Sequence, residues 1–223
     1  MYIARSRRAQ SELIGALIMI AAVLAIGAAL LSLYTSTTSA ERAAANREVF
    51  LSREASMTLL LGKVDVAPYD KVVVLSRKVA PANLYILVVG TYDLKYGFKY
   101  LVRGVDYEFQ VANTSSGTVY FNLTADNISQ WSTPTAVVVS SDYIYVKDIR
   151  IGEMSYGMLT NKIGGKQFVT LYKIRVYPQE SVLARIKLLE SPSVLGIDTL
   201  WIKVLVEYNG KYYQIAETFF SLS

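Results

Sequence analysis

Any chemistry in this chain has to proceed without the two most versatile side chains. Its 223 residues include no histidine and no cysteine. This removes the commonest general base, the commonest metal ligand, thiolate nucleophiles and disulfides together. Carboxylates, amides and tyrosines remain. Asp106, Glu108, Asp142 and Asp148 are the acids that could be recruited to a cation, but none stands at a recognised ligand spacing. No nucleophile motif accompanies them. The expectation is a protein that catalyses no reaction and takes no metal and no cofactor. The candidate covalent chemistry is modification. Asn113-Thr114-Ser115, Asn122-Leu123-Thr124 and Asn127-Ile128-Ser129 are three acceptor tripeptides for N-glycosylation within one short stretch. The same residue types also form turns. Tyr143, Tyr145, Tyr212 and Tyr213, among 17 tyrosines, can make adhesive contacts or pack a sheet.

The elements that carry these residues divide sharply along the chain. Residues 7–31 read RRAQSELIGALIMIAAVLAIGAALL. Within them, residues 13–31 hold no charge and would span roughly 28 Å as a helix, close to the ~30 Å hydrocarbon thickness of a bilayer. Arg5, Arg7 and Arg8 precede this run, and the next charges are Glu41 and Arg42. The positive-inside tendency therefore expects a cytoplasmic N-terminus, with everything after Tyr34 outside. Ala21, Ala25 and Ala29 recur at four-residue spacing, with Gly15, Ala22 and Gly27 nearby. Small side chains at this spacing let apolar helices approach closely. No proline or glycine follows Gly27 until Gly62, so one helix is expected to continue to about residue 62. The hydroxyl block at residues 35–39 is the expected bend, because such side chains bond back to the preceding turn.

Beyond Gly62 the sequence becomes a series of short β-rich runs, among them KVVVLS, NLYILVV, KQFVTLYKIRVY and LWIKVLVEY. In the last of these, Ile202, Val204, Val206 and Tyr208 alternate with Lys203 and Glu207, which assigns one face of a strand to a core. Asn209-Gly210 is a strong hairpin signal. The fold class expected is α+β and ladle-like: one long N-terminal hydrophobic α-helix followed by an all-β antiparallel sandwich, immunoglobulin-like or similar. The net charge of +5 owes three units to Arg5, Arg7 and Arg8. No basic cluster interleaved with aromatics follows them, so no nucleic-acid partner is expected.

A basic pair, a small residue and a short polar stretch before an apolar helix resemble the class III signal peptide of archaeal type IV pilins and related filament subunits. The matching residues are Arg7, Arg8 and Ala9, followed by Gln10, Ser11 and Glu12. The resemblance covers residues 5 to about 34. It implies cleavage by a membrane prepilin peptidase between Ala9 and Gln10, on the cytoplasmic side of the helix. It also implies three segments: a cleaved signal peptide at 1–9, a helix at 10–62 that is first a membrane anchor and then a filament core, and an extracellular β domain at 63–223. Glu12 would pair with the new amine at Gln10, although bacterial pilins carry their acid at the fifth mature position and Glu12 would be third. Gly15, Ala21, Ala25 and Ala29 would line the helix contacts.

The function implied is that of a structural pilin in a surface filament. It would polymerise with copies of itself on a pilus assembly platform and mediate adhesion through a glycosylated β domain. The alternative is a membrane-anchored minor pilin, or an archaellum stator-like accessory protein whose β domain binds the cell-surface layer. An ordinary single-pass signal anchor also suits the N-terminal residues. An anchored enzyme or solute-binding domain is disfavoured by the missing histidine and cysteine.

Overall fold

A computed structural model describes residues 3–91, 98–115, 131–146 and 168–222, with side chains described from residue 15 onward in the helix. The chain divides into two compact units, residues 1–49 and residues 50–223.

Helix α1 runs Ile3–Met57. Alanine, leucine and isoleucine dominate its apolar part, and no proline interrupts it; the alanines and leucines are strong helix formers. The hydroxyl block at 35–39 bonds back as expected. Thr35 Oγ1 donates to the Leu31 carbonyl at 2.8 Å, Thr38 Oγ1 to Tyr34 at 2.7 Å and Ser39 Oγ to Ser36 at 2.8 Å. These bonds are absorbed within one uninterrupted helix. The helix ends at Met57, short of the expected residue 62, because Thr58–Ala67 forms strand β1. Pairing with the next strand draws this segment out of the helix, from Thr58 opposite Arg77 to Ala67 opposite Asp70. Gly62, which was expected to end the helix, instead follows a register shift in β1. An isolated strand glycine often marks such a site.

The remaining elements are β2 (Asp70–Arg77), β3 (Ala82–Thr91), β4 (Phe98–Tyr100), β5 (Tyr107–Ser115), β6 (Thr135–Ser140), β7 (Ile144–Tyr145), β8 (Phe168–Val176), β9 (Glu180–Leu188), a short helix α2 (Pro192–Leu195), β10 (Thr199–Tyr208) and β11 (Lys211–Ser221). One sheet has the order β1-β2-β9-β5; the other has the order β6-β8-β3-β10-β11-β7, with β4 also on β3. All pairs are antiparallel except β11 with β7. Seven of these strands, β1, β2, β3, β5, β9, β10 and β11, taken as A to G, give A-B-E-D in one sheet and C-F-G in the other. That is the strand order of an immunoglobulin-type sandwich. Strands β8 and β6 extend the second sheet beyond β3, and β7 extends it beyond β11.

The core between the sheets is aliphatic, with Val73 and Leu75 of β2, Ile86 and Val88 of β3, Ala184 and Ile186 of β9, and Ile202 and Val204 of β10 all buried. The alternation read from β10 is observed for Ile202, Val204 and Val206, which enter this core with Leu200, whereas Tyr208 is only partly buried, against Phe50, and Lys203 on the opposite face is buried beside Glu217. Asn209 (φ 51°) and Gly210 (φ 73°) make the left-handed turn between β10 and β11, as a two-residue hairpin requires. The expected strand at 117–123 lies outside the described residues, and of the one expected at 142–151 only Ile144–Tyr145 is a strand, Ser141–Tyr143 being a 3-10 turn and residues 147–151 lying outside the described residues.

One polar contact lies inside this core. Tyr107 and Tyr172 hydroxyls meet at 2.9 Å, both rings fully enclosed, with Phe109 stacked on Tyr172 at 4.4 Å. Burial raises both phenols, Tyr107 well above its ordinary range and Tyr172 to about 12. An acid held neutral in the fold but free to ionise from about pH 10 when unfolded stabilises the fold below that pH. That contribution is lost as pH rises from about 10 to 12. The urea midpoint of the full chain in detergent is therefore expected to fall steeply over this window. The fall should be shallower in the double variant Tyr107→Phe/Tyr172→Phe; equal slopes would count against this assignment.

Candidate functional site

The largest unsatisfied surface belongs to α1. Its apolar window is wholly exposed and long enough to cross a membrane by length and composition. Leu17, Ile18, Met19 and Ile20 are exposed, as are Val23, Leu24, Ile26, Leu30, Leu31 and Leu33. These positions surround the helix on all sides, unlike the single stripe by which a surface helix docks on a core. Ala21, Ala25 and Ala29 are exposed among them, and no atom outside the helix's own local backbone comes within 4 Å of the Cβ position at Gly15 or Gly27. The small-residue row is thus open to another helix. Residues Arg7, Arg8, Ala9, Gln10 and Glu12 lie on the helical backbone of α1, and their side chains lie outside the description.

The sequons are not seen together. Asn113 is exposed near the end of β5, an edge strand, opposite Val182 of β9. It is open to solvent, as an acceptor must be. Asn122 and Asn127 lie outside the described residues. Two of the acids considered for a cation accept local hydrogen bonds. Asp106 Oδ2 accepts the Val102 N–H at 2.7 Å and Asp142 Oδ2 accepts from Ser140 Oγ at 3.3 Å. Glu108 is exposed on β5, and Asp148 lies outside the described residues. Among the described residues, no three acids gather as a cation site would require. The tyrosines split between roles. Tyr212 packs edge-on against Tyr85 at 4.8 Å, while the exposed Tyr145 stacks on Tyr213 at 4.8 Å.

A second site, not evident from the sequence, lies in the unit formed by residues 50–223. The last turns of α1 place Glu54 against Arg77 of β2, whose side chain is 1% exposed. Arg77 Nη1 lies 2.9 Å from Glu54 Oε2 and donates to Thr58 Oγ1 at 2.8 Å, while Nε donates to the Ala80 carbonyl at 3.0 Å. Beside this pair a cleft of about 320 Å³ opens between the end of α1, the start of β3 and the end of β10. Phe50, itself 4.9 Å from the Tyr208 ring, and Tyr85 give it aromatic walls, and Asn83 and Asn209 give it amides. Glu207 gives it a carboxylate that accepts the Tyr85 hydroxyl at 2.8 Å. Burial and this carboxylate together push the Tyr85 phenol up, so it stays a donor. The cleft escapes sequence reasoning because its residues come from three segments that only the sandwich brings together. The one available signal was Glu54, an acid near the apolar Phe50, Leu51, Ala55 and Met57 at the end of the helix.

No family model, no curated protein and no solved structure matches the chain.

Proposed function

We propose that the chain is a pilin-like structural subunit of a surface filament. It is held in the membrane by α1 before assembly and then polymerises through the same helix. The observation that supports this most strongly is the helix itself, which is apolar around its whole circumference and unburied over a membrane-spanning length. Such a surface has to be covered by lipid or by other helices, since apolar area left in water costs ~25 cal/mol per Å². The open row of Ala21, Ala25 and Ala29 suits close helix contact. Arg7, Arg8 and Ala9 suit removal of residues 1–9, which would take three positive charges out of the assembling segment. The β domain then forms the outer layer, with Asn113 available for a glycan.

Two measurements test this. The mass of the protein isolated from its native cells is expected to show Gln10 as the first residue; an intact Met1 would leave only a membrane anchor. Negative-stain microscopy of sheared surface material is expected to show filaments whose main component is this chain. If the processed chain occurs only as a trace in filaments built of another subunit, the accessory-protein reading replaces it.

A further inference from the structure

The cleft beside Arg77 holds an acid unlike the paired acids of the β domain: Glu207, which is exposed. Glu54 is neutralised by Arg77, Asp70 by Arg185 and Glu217 by Lys203. Glu207 has only a phenol as its partner: the Tyr85 hydroxyl donates to it, and no cation of the described residues pairs with it. Next to it are the aromatic walls of Phe50 and Tyr85 and the side-chain oxygen of Asn83, which already accepts from Arg175 Nη1 at 3.3 Å. A carboxylate beside aromatic faces and amide oxygens is the chemistry that receives a guanidinium or ammonium group. The volume is ample for one such side chain and small for a folded segment.

We propose that this cleft receives a basic side chain from the helix of a second copy of the chain, with Arg42 as the occupant. This rests on the filament reading above. Between Gly15 and Val49 the basic residues are Arg42 and Arg47. Arg47 is engaged by Glu48 at 3.1 Å, whereas Arg42 has no ion-pair partner among the described residues. It lines a shallow groove with Thr35, Thr38 and Ser39. When neighbouring helices bundle, an arginine on that surface is desolvated unless an anion meets it. Glu207 supplies that anion with its own orientation fixed by Tyr85.

The test is a charge exchange in the full-length chain expressed in its native cells. It scores filament yield by negative-stain microscopy and chain abundance in the membrane fraction by immunoblot. Glu207→Arg and Arg42→Glu are each expected to lower filament yield at least tenfold at unchanged membrane abundance. The double variant is expected to recover most of the yield. Glu207→Gln should give an intermediate loss, and it controls for misfolding of the larger substitution. Wild-type yield from Glu207→Gln and Glu207→Arg would overturn the contact while leaving the filament reading intact. Failure of the double variant to recover at normal abundance would overturn Arg42 as the occupant. Absence of filaments from the parent chain would overturn the filament reading, and this contact with it.

Discussion

Ala21→Asp is expected to lower the equilibrium constant for membrane insertion of the helix roughly a hundredfold and to abolish filaments. Ala21 lies near the middle of the uncharged run and is exposed on α1. A carboxylate at the centre of a spanning helix costs about 2.5–3.5 kcal/mol, and nothing on the described helix between residues 15 and 40 carries a positive charge to compensate it. Ala21→Leu separates the two uses of the helix. It keeps the surface apolar, so membrane retention should match the parent. It also raises a bulky side chain in the small-residue row, so close helix packing and filament yield should fall several-fold. Fractionation and microscopy of the same cultures read both effects. If the aspartate variant is retained and assembles like the parent, the helix works through neither lipid nor its neighbours.

The second large effect is on stability. Arg77→Ala is expected to destabilise the β domain by about 3–5 kcal/mol, since it strands Glu54 as a half-buried charge without its partner. Thr58 and the Ala80 carbonyl also lose the hydrogen bonds that tie the helix end, the start of β1 and the β2–β3 turn to one guanidinium. For a domain of this size the melting temperature should drop by roughly 10 °C or more. Replacing both members of the pair by apolar residues, Arg77→Met with Glu54→Leu, should recover much of the loss, because the desolvation cost disappears with the charges. A drop in Arg77→Ala of less than a couple of degrees by differential scanning calorimetry would show that the pair is solvated and not structural.

Periodicity carried most of the fold. The β10 alternation placed Ile202, Val204 and Val206 in the core correctly, because a strand's two faces are fixed by its two-residue period whatever it packs against. Asn209-Gly210 marked its turn because few residues accept positive φ at two successive positions. Other features were not legible. The segment after Met57 has the composition of a continuing helix, and only its ladder with β2 makes it a strand. Strand β4 is three residues long, too short to show a period. The parallel pairing of β7 on β11 joins segments far apart in the chain. Asp106 and Asp142 showed no ligand spacing in the sequence, and only the fold brings the Val102 N–H and the Ser140 hydroxyl to them.

The sequence by itself determined that the chain carries a helix too apolar for water, followed by a β domain, and that it lacks histidine and cysteine chemistry. Each of these is a property of composition and local period, which need no partner to be expressed. Tertiary structure alone decided where the helix yields to β1, the A-B-E-D and C-F-G strand order, and the Glu54–Arg77 pair with its cleft beside Glu207. These depend on contacts between distant residues, and local preference at Glu54, Arg77 or Glu207 is the same whether or not those contacts form.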